Sequence, residues 1–263
     1  MRVLGIESSC DELACAIVDH DGETLLANVV HSQIEVHKPF GGVVPEVAAR
    51  DHVRQLHPVL LETFKQSKRQ LDEIDAIAVT AGPGLIGPLL CGVEFAKGLA
   101  LASDKPLIGV HHLEGHIAAA LLEKEKPSPP FVCLLVSGGH TNLVLVQDWG
   151  RYEHLGATRD DAAGEAFDKT AKLLGLTYPG GAVIDRLAKG HDETAVKFPT
   201  MMAGKDNLDF SFSGLKTAAA RLLNEMGGPP SGAELGRFCA SFQASIADNL
   251  LKKAFRATKK SQR

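Results

Sequence analysis

The stretch "RVLGIESSCDELACAIVD", Arg2–Asp19, contains two short apolar runs on either side of a turn of small and acidic residues. Apolar residues alternate with others in both runs, which predicts two strands of an antiparallel meander. A third strand, "TLLANVV" at 24–30, is predicted after the turn "HDGE" at 20–23. A second copy of this plan begins at Phe131, where "FVCLLV", "SGGHT", "NLVLVQ" and "RYEHLG" follow one another. The sequence therefore predicts two similar halves, each built on a β-meander.

Helices and strands are predicted to alternate after each meander. In the first half they are helices at 44–67 and 88–103 and strands at 74–80 and 106–110. This alternation is typical of an α/β fold. The second half is predicted to form helices at 160–176 and 182–190 and a long amphipathic helix at 233–258.

Length and composition predict a soluble protein of two domains. The chain has 263 residues, of which 44% are hydrophobic and 23% charged, as in ordinary globular proteins. The charged, proline-rich stretch "EKEKPSPP" at 123–130 is the predicted boundary, which gives a first lobe at 1–125 and a second at 131–263. The net charge of −4 gives no general attraction to nucleic acid, although a local basic patch is compatible with it.

The N-terminal sequence and the cysteines predict a cytoplasmic protein. "MRVLGIESSC" has one arginine and too short an apolar run for a signal peptide, and no window is predicted to be apolar over the length of a spanning helix. We therefore expect no membrane association. The cysteines are odd in number and lack CxxC spacing, so neither disulfides nor a zinc site is expected of them: Cys10, Cys15, Cys91, Cys133 and Cys239.

The turns "SSCDE" at 8–12 and "SGGHT" at 137–141 are candidate phosphate sites. A tight turn of small and hydroxyl residues directs several backbone N–H groups to one point, and such turns bind phosphate. The alternative is a plain hairpin turn, which either sequence would form unaided. Two such turns are typical of actin-like and sugar-kinase ATPases, in which paired hairpins grip a nucleotide. Asp11 and Glu12 would then lie beside the phosphates, where a carboxylate holds Mg²⁺ or orients the nucleotide.

The segment "AGPGLIG", 81–87, lies between a predicted strand and a predicted helix. Its glycines are placed where a backbone approaches another group closely. It matches neither a Walker loop nor GxGxxG, and a simple Pro-Gly connection explains it almost as well.

A histidine-rich segment, "GVHHLEGHIAAALL" at 109–122, is predicted to begin a buried helix. His112 and His116 are four residues apart, so on a helix both rings lie on one face within reach of a single cation. The pattern is not the HExxH of metalloproteases, because Glu114 does not follow the first histidine directly. The alternative is a pair of histidines that cap or pack a helix end. A metal ion would need a third ligand from elsewhere in the chain.

Acidic residues cluster at the start of the helix predicted at 160–176. Asp160 and Asp161 suit the helix dipole as solvated carboxylates of its first turn. Asp168 is the stronger functional candidate, because with Asp185 it would lie near the second hairpin and could bind ribose hydroxyls. In "DFSFSGLK", 209–216, the plain interpretation is a core strand that leads into a helix, with Ser213 as its cap.

Taken together, these motifs resemble the tRNA threonylcarbamoyladenosine transferase family of the bacterial TsaD type. The resemblance runs from Met1 to about Asn249, through "GIESSCDE", "GGVVPEVAARDH", "TAGPGLIG", "VHHLEGH", "LLVSGGHT", "DDAAGEAFDKTAKLLGLTYPGG" and "LDFSFSGLKT". It implies an α/β, actin-like/sugar-kinase two-lobed fold that binds a nucleotide and one divalent metal ion, Fe²⁺ or Zn²⁺. It also implies transfer of a threonylcarbamoyl group from threonylcarbamoyl-AMP to the N6 amine of the adenosine beside the anticodon, in tRNAs reading A-starting codons.

The resemblance assigns roles to particular positions. His112 and His116 correspond to metal ligands, and Asp11 and Glu12 to the acidic, catalytic turn. The substrate-binding and nucleotide-binding positions are Leu135, Val136, Ser137, Gly138, Gly139, His140, Asp168, Gly181 and Asp185. A metal ion acting as Lewis acid would polarise the carbamoyl carbonyl, with no covalent enzyme intermediate.

Two departures from the family pattern are visible. Leu13 stands where the family usually has threonine, which removes a hydroxyl near the first turn. The family continues with a nucleotide-binding asparagine and a metal-binding aspartate that this chain lacks, and "ATKKSQR" at its end matches no family segment that we can place. We therefore expect an incomplete second lobe and a weak metal site.

The resemblance implies several partners: tRNA, a paralogous actin-like subunit of the TsaB type, a small ATPase of the TsaE type and the threonylcarbamoyl-AMP synthase. The bound nucleotide would be threonylcarbamoyl-AMP, with ATP and Mg²⁺ as an alternative. Three other functions stay open at this point: a metal-dependent peptidase, an ATPase or small-molecule kinase, and a non-catalytic actin-like partner subunit.

Overall fold

The chain folds into two compact units, residues 1–127 and 128–263, in a computed structural model that describes residues 1–19, 24–202, 204 and 207–261. The boundary falls within the proline-rich stretch 123–130. The turn predicted at 20–23 lies outside the described residues.

The first unit is built on a five-stranded sheet of order β3-β2-β1-β4-β5. The first three strands are β1 (Val3–Glu7), β2 (Glu12–Val18) and β3 (Leu25–Ser32), and they pair antiparallel, which confirms the predicted meander. The other two are β4 (Ala76–Gly82) and β5 (Leu107–His111), which continue the sheet in parallel with β1. The carboxyl ends of β1, β4 and β5 therefore meet at one edge of the sheet.

The helices of this unit are α1 (Ile34–His37), α2 (Pro45–Ser67), α3 (Ile86–Ser103) and α4 (His112–Ala118), with 3₁₀ turns at Lys38–Phe40, Leu71–Glu73 and Ala119–Leu122. α2 and α3 pack against each other and against the sheet. Leu56, Val59 and Leu60 of α2 have the spacing of one helix face and are buried in the core. Leu13, which departs from the family pattern, is fully buried in the same core, so its side chain contributes to the packing of the first unit.

Two expectations for the first unit are wrong. The histidine segment is not a buried helix: α4 has seven residues, of which only Ile117 is buried, and the 3₁₀ turn Ala119–Leu122 that follows has no buried residue. α3 is long and apolar enough to cross a membrane by length and composition, since Glu94 and Lys97 are its only charged residues. Core helices of soluble proteins also have this length and composition, and 22% of α3 is buried.

The second unit begins with β6 (Phe131–Val136), β7 (Thr141–Asp148) and β8 (Arg151–Ala157), which form an antiparallel sheet in that order. This confirms the second meander. Among the described residues, no parallel strand extends this sheet as β4 and β5 extend the first. The helices of the unit are α5 (Ala163–Leu173), α6 (Gly180–Ala188), α7 (Ser213–Glu225) and α8 (Gly232–Ser261).

Phenylalanine side chains dominate the core of the second unit. Phe210 and Phe212 were predicted to lie in a core strand. They are 1% and 0% exposed and stack on each other, but the predicted strand is wrong, since only Phe210 forms an isolated β-bridge, with Thr158. Phe238 and Phe242 of α8 are fully buried and meet the ring of Phe198 edge to face. The long helix predicted at 233–258 is confirmed and extends three residues further.

Candidate metal and nucleotide sites

Three polar side chains lie at the carboxyl ends of the parallel strands β1, β4 and β5 of the first unit. Glu7 is the last residue of β1, Thr80 lies near the end of β4, and His112 directly follows β5. Ligand sites of open α/β sheets lie at this edge, because the connections there present side chains and helix N-termini together.

Glu7 is the residue at which these groups meet. Its Oε1 accepts a hydrogen bond from the Ser9 N–H at 2.5 Å, and its Oε2 lies 2.6 Å from the Thr80 hydroxyl and 3.2 Å from Nδ1 of His112. Burial alone would raise the pKa of Glu7, but the hydrogen bonds from His112, Ser9 and Thr80 outweigh it and lower that pKa to about 2. Glu7 is therefore an anion at neutral pH. Sequence patterns did not single it out.

The two histidines of α4 face each other as their spacing predicted. Their Nε2 atoms are 3.1 Å apart and the ring planes lie at 76°. Two nitrogen ligands of one tetrahedral metal ion lie about 3.3 Å from each other, given metal–nitrogen bonds of about 2.0–2.1 Å. Loss of hydration and then the neighbouring His112 ring lower the pKa of His116, which favours the neutral imidazole that binds metals. The pair therefore fits two positions of a metal site.

A third ligand is not found in the part of the chain that the structure describes. Within residues 1–19, 24–202, 204 and 207–261, no group of three or more His, Cys, Asp or Glu side chains is arranged to hold a metal ion. Glu114 is exposed on the first turn of α4.

The acidic turn packs on the "AGPGLIG" segment. The Leu85 N–H donates to the Ser9 carbonyl at 2.8 Å, and the Ser8 hydroxyl donates to the Pro88 carbonyl at 2.9 Å. A Cβ at Gly84 would lie 2.6 Å from the Ser9 carbonyl oxygen, so only glycine permits this approach. We predicted that the backbone of this glycine-rich segment approaches another group closely. The structure shows that this group is the turn at residues 8–12. Beside it, Asp11 is partly exposed and Glu12, the first residue of β2, is exposed.

A chain of hydrogen bonds through buried side chains supports the acidic turn, and no sequence pattern predicted it. The Val44 N–H donates to Nδ1 of His37, whose Nε2 lies 3.1 Å from Oε1 of Gln33. The Gln33 amide donates to Nδ1 of His52 at 3.0 Å, and Nε2 of His52 lies 2.9 Å from the Cys10 carbonyl. Burial lowers the pKa of His52, so the chain holds it as a neutral donor to the turn.

In the second unit the "SGGHT" turn lies against the N-terminus of α5. The Ser137 N–H donates to the His140 carbonyl at 2.8 Å, and the His140 N–H donates to the Ser137 hydroxyl at 3.1 Å. A Cβ at Gly164 would lie 2.7 Å from both the Ser137 carbonyl oxygen and Cα of Gly138. Gly138 and Gly139 are exposed at the tip, and Leu135 and Val136 form the end of β6. Turn and helix N-terminus together suit an anion.

The remaining predicted nucleotide residues continue along α5 and α6. Asp168 lies one turn after Gly164, and its Oδ1 accepts a hydrogen bond from the Gly180 N–H at 2.7 Å, at the start of α6. Gly181 and Asp185 are one turn apart on α6, and Asp185 is exposed, near Lys189 and Gln243. The turn, Gly164, Asp168 and the first turns of α6 thus form one continuous strip.

The roles predicted for Asp160, Asp161 and Ser213 are wrong. α5 begins at Ala163, so neither aspartate lies in its first turn. Asp160 instead accepts hydrogen bonds from the backbone N–H groups of Phe212 and Ser213 and from two serine hydroxyls, which caps α7. Ser213 is the first residue of α7 and makes no cap of its own. Asp161 pairs with Lys169 at 2.5 Å.

Comparison with known proteins identifies the family. A family model described as tRNA N6-adenosine threonylcarbamoyltransferase, TsaD, matches residues 24–263. The chain belongs to the TsaD family. The match reaches the last residue, so the expectation that "ATKKSQR" matches no family segment is wrong. Residues 257–261 of this stretch belong to α8.

Relatives within the TsaD family are similar along almost the whole chain. A tRNA N6-adenosine threonylcarbamoyltransferase of Anaeromyxobacter dehalogenans is 55% identical over 99% of this chain and 78% of its own length. A protein of the same name from Clostridium perfringens is 51% identical over 98% of this chain and 76% of its own length. Among solved structures, an activator of 2-hydroxyisocaproyl-CoA dehydratase from Clostridium difficile, with bound ADPNP, matches 98% of this chain and 76% of its own with a TM-score of 0.51 and 13% identity. This likeness bears on fold alone, and the fold is of the actin-like class.

Proposed function

We propose that this chain catalyses threonylcarbamoyl transfer from threonylcarbamoyl-AMP to N6 of the adenosine adjacent to the anticodon, in tRNAs that read A-starting codons. The observation that carries the proposal is 55% identity over 99% of the chain to a protein named for this activity. Within each unit the local geometry is compatible with it: the histidine pair of the first unit fits two ligands of a Lewis-acid metal ion, and the turn of the second unit suits a phosphate.

Each predicted site residue has a role in this proposal. His112 and His116 hold one divalent ion, Fe²⁺ or Zn²⁺, which when bound supplies Lewis-acid polarisation of the carbamoyl carbonyl. The segment Leu135–His140 binds the phosphate of the adenylate, while Asp168, Gly181 and Asp185 receive its ribose. Asp11 and Glu12 orient the nucleotide, directly or through Mg²⁺.

The reaction needs no covalent enzyme intermediate. The adenine N6 forms a bond to the carbamoyl carbon, the bond between that carbon and the phosphate oxygen breaks, and AMP leaves with the electron pair. N6 loses one proton to water. The chain's contribution is to bring amine and carbonyl together and to stabilise the charge that develops on the carbonyl oxygen.

The proposed partners follow from family membership. They are tRNA, a TsaB-type actin-like subunit, a TsaE-type ATPase and the synthase that makes the adenylate. We propose a cytoplasmic location, where tRNA and the adenylate are found together.

The test is an assay with purified chain, partner proteins of these types, threonylcarbamoyl-AMP and unmodified tRNA, followed by nucleoside analysis. We expect threonylcarbamoyladenosine to form with the wild type and to fall by about 100-fold or more with His112→Ala. His111→Ala, one position away, is the matched control and should keep most of the activity. Absence of product with the wild type would refute the activity of this chain. Cleavage of peptides that a chelator abolishes would favour the peptidase alternative instead.

A further inference from the structure

We propose that Glu7 is a positioning residue that holds His112 in its Nδ1–H tautomer, so that the Nε2 lone pair of His112 faces His116. This inference rests on the proposed metal site, because only that tautomer leaves Nε2 of His112 able to bind a cation. Glu7 would thus complete the carboxylate–histidine pair that usually supports a metal-bound imidazole.

The first step of the argument is the direction of the hydrogen bonds. An ionised carboxylate only accepts, and the Glu7 side chain lies within hydrogen-bonding distance of Ser9 N, Thr80 Oγ1 and His112 Nδ1. Nδ1 of His112 must therefore carry a proton to bond Glu7 at 3.2 Å. In a neutral ring Nε2 is then unprotonated, and it is the atom that lies 3.1 Å from Nε2 of His116.

The second step concerns Ser9, whose hydroxyl is 3.0 Å from the same Nδ1. A hydroxyl both donates and accepts, so by itself it permits either tautomer. The ionised carboxylate of Glu7 permits only the Nδ1–H tautomer of His112. Glu7 is also fixed by its other two donors, which come from the turn and from β4, so its position does not depend on the histidine.

The test uses Glu7→Gln, which preserves shape. The Ser9 N–H requires the amide oxygen on its side, so the NH₂ group turns to Thr80 and His112. Nδ1 of His112 then accepts, and its proton moves to Nε2, where it blocks coordination. Thr80→Val is the matched control, because it removes another donor to the same carboxylate oxygen and leaves the contact with His112.

The first readout is the tautomer of His112 in metal-free, ¹⁵N-histidine-labelled protein, from long-range ¹H–¹⁵N correlations. We expect Nδ1–H in the wild type and in Thr80→Val, and Nε2–H in Glu7→Gln. An Nε2–H tautomer in the wild type overturns the inference even when Glu7→Gln does not fold. It is also overturned if Ser9→Ala shifts the tautomer and Glu7→Gln does not.

The second readout is calorimetric titration with Zn²⁺ or Co²⁺. We expect Glu7→Gln to weaken binding by roughly 10–100-fold. Equal affinities of wild type and Glu7→Gln would refute the role of Glu7 and leave the metal site intact. A wild type that binds no metal, but whose tautomer switches in Glu7→Gln, would refute the metal site and leave the positioning role.

Discussion

Gly164 occupies a position where a side chain has no room, since even a Cβ would come within 2.7 Å of the Ser137 carbonyl oxygen and of Cα of Gly138. We expect Gly164→Ala to push the phosphate-type turn away from α5, to lower the free energy of unfolding by about 1–3 kcal/mol and to weaken AMP binding. Urea unfolding and calorimetry measure both effects.

The control for this prediction is Gly98→Ala on the exposed face of α3, where a Cβ meets nothing within 4 Å. It should stabilise the protein by about 0.5–1 kcal/mol, because alanine is the better helix former. Unchanged AMP affinity in Gly164→Ala would contradict the role given to the turn.

Lys253 is a buried cation of α8 that binds the backbone of the loop before α7. It is 3% exposed, and its ammonium donates to the backbone carbonyls of Met202, Asn207 and Asp209. We expect Lys253→Met to lower the free energy of unfolding by roughly 1–3 kcal/mol, since three partly buried carbonyls lose their donor. Lys252→Met, next in the chain but exposed and paired with Asp248, should change it by less than about 0.5 kcal/mol in urea unfolding. Equal effects would refute this account.

The spacing of residues in the sequence predicted side-chain contacts only where the two partners are close in sequence. His112 and His116 are four residues apart and meet as expected. Glu7 could not be predicted, because its partners Thr80 and His112 lie 73 and 105 residues away and are brought to it by the parallel pairing of β1, β4 and β5.

At the scale of elements, Asp160 stabilises the start of α7 from 51 to 53 residues away in the sequence. Burial would raise its pKa, but hydrogen bonds from Ser211, Ser213 and Phe212 lower it to about 2. Since the folded protein favours the ionised form, this stabilisation is complete above the ordinary aspartate pKa of about 3.8 and is lost as the pH falls through about 2.

We therefore expect Asp160→Ala to cost about 1 kcal/mol near neutral pH, as for other lost helix caps, and the difference from the wild type to shrink on acidification. Urea unfolding at neutral pH and at about pH 3 tests this. Asp192→Ala, whose hydrogen bonds go to Thr194 two residues away and cap no described helix, is the control at neutral pH and should cost less than Asp160→Ala. A difference that grows as the pH falls would refute the sign of the effect.

Most elements could be predicted, because alternating apolar residues and turn signals are local. Both meanders and α2, α3 and α8 follow them. The start of α5 could not be predicted, because the sequence near Asp160 and Asp161 is compatible with a first helical turn. In the structure Asp160 instead binds the start of α7, and Asp161 binds Lys169. The exposure of α4 could not be predicted either, because the apolar run that follows His116 in the sequence did not reveal that only Ile117 of this helix is buried.

At the scale of the whole molecule, the two units have separate hydrophobic cores and are joined through an exposed, charged stretch. We expect limited digestion with a glutamate-specific protease to cut first after Glu123 or Glu125, because exposed segments between cores are cleaved preferentially. Mass spectrometry would identify two resistant fragments. Early cleavage at Glu62 or Glu94, inside α2 and α3, would show that the first unit is not a stable body.

The long helix α8 supplies Phe238, Phe242 and Ile246 to the core of the second unit. Most other residues of this core precede α8 in the sequence and are therefore synthesised before it. During synthesis on the ribosome, all of the first unit is made before the second begins, and domains fold as units in that order. The apolar strands β6 and β7, by contrast, must wait about a hundred residues for their cover. This interval is when the nascent chain most needs a chaperone.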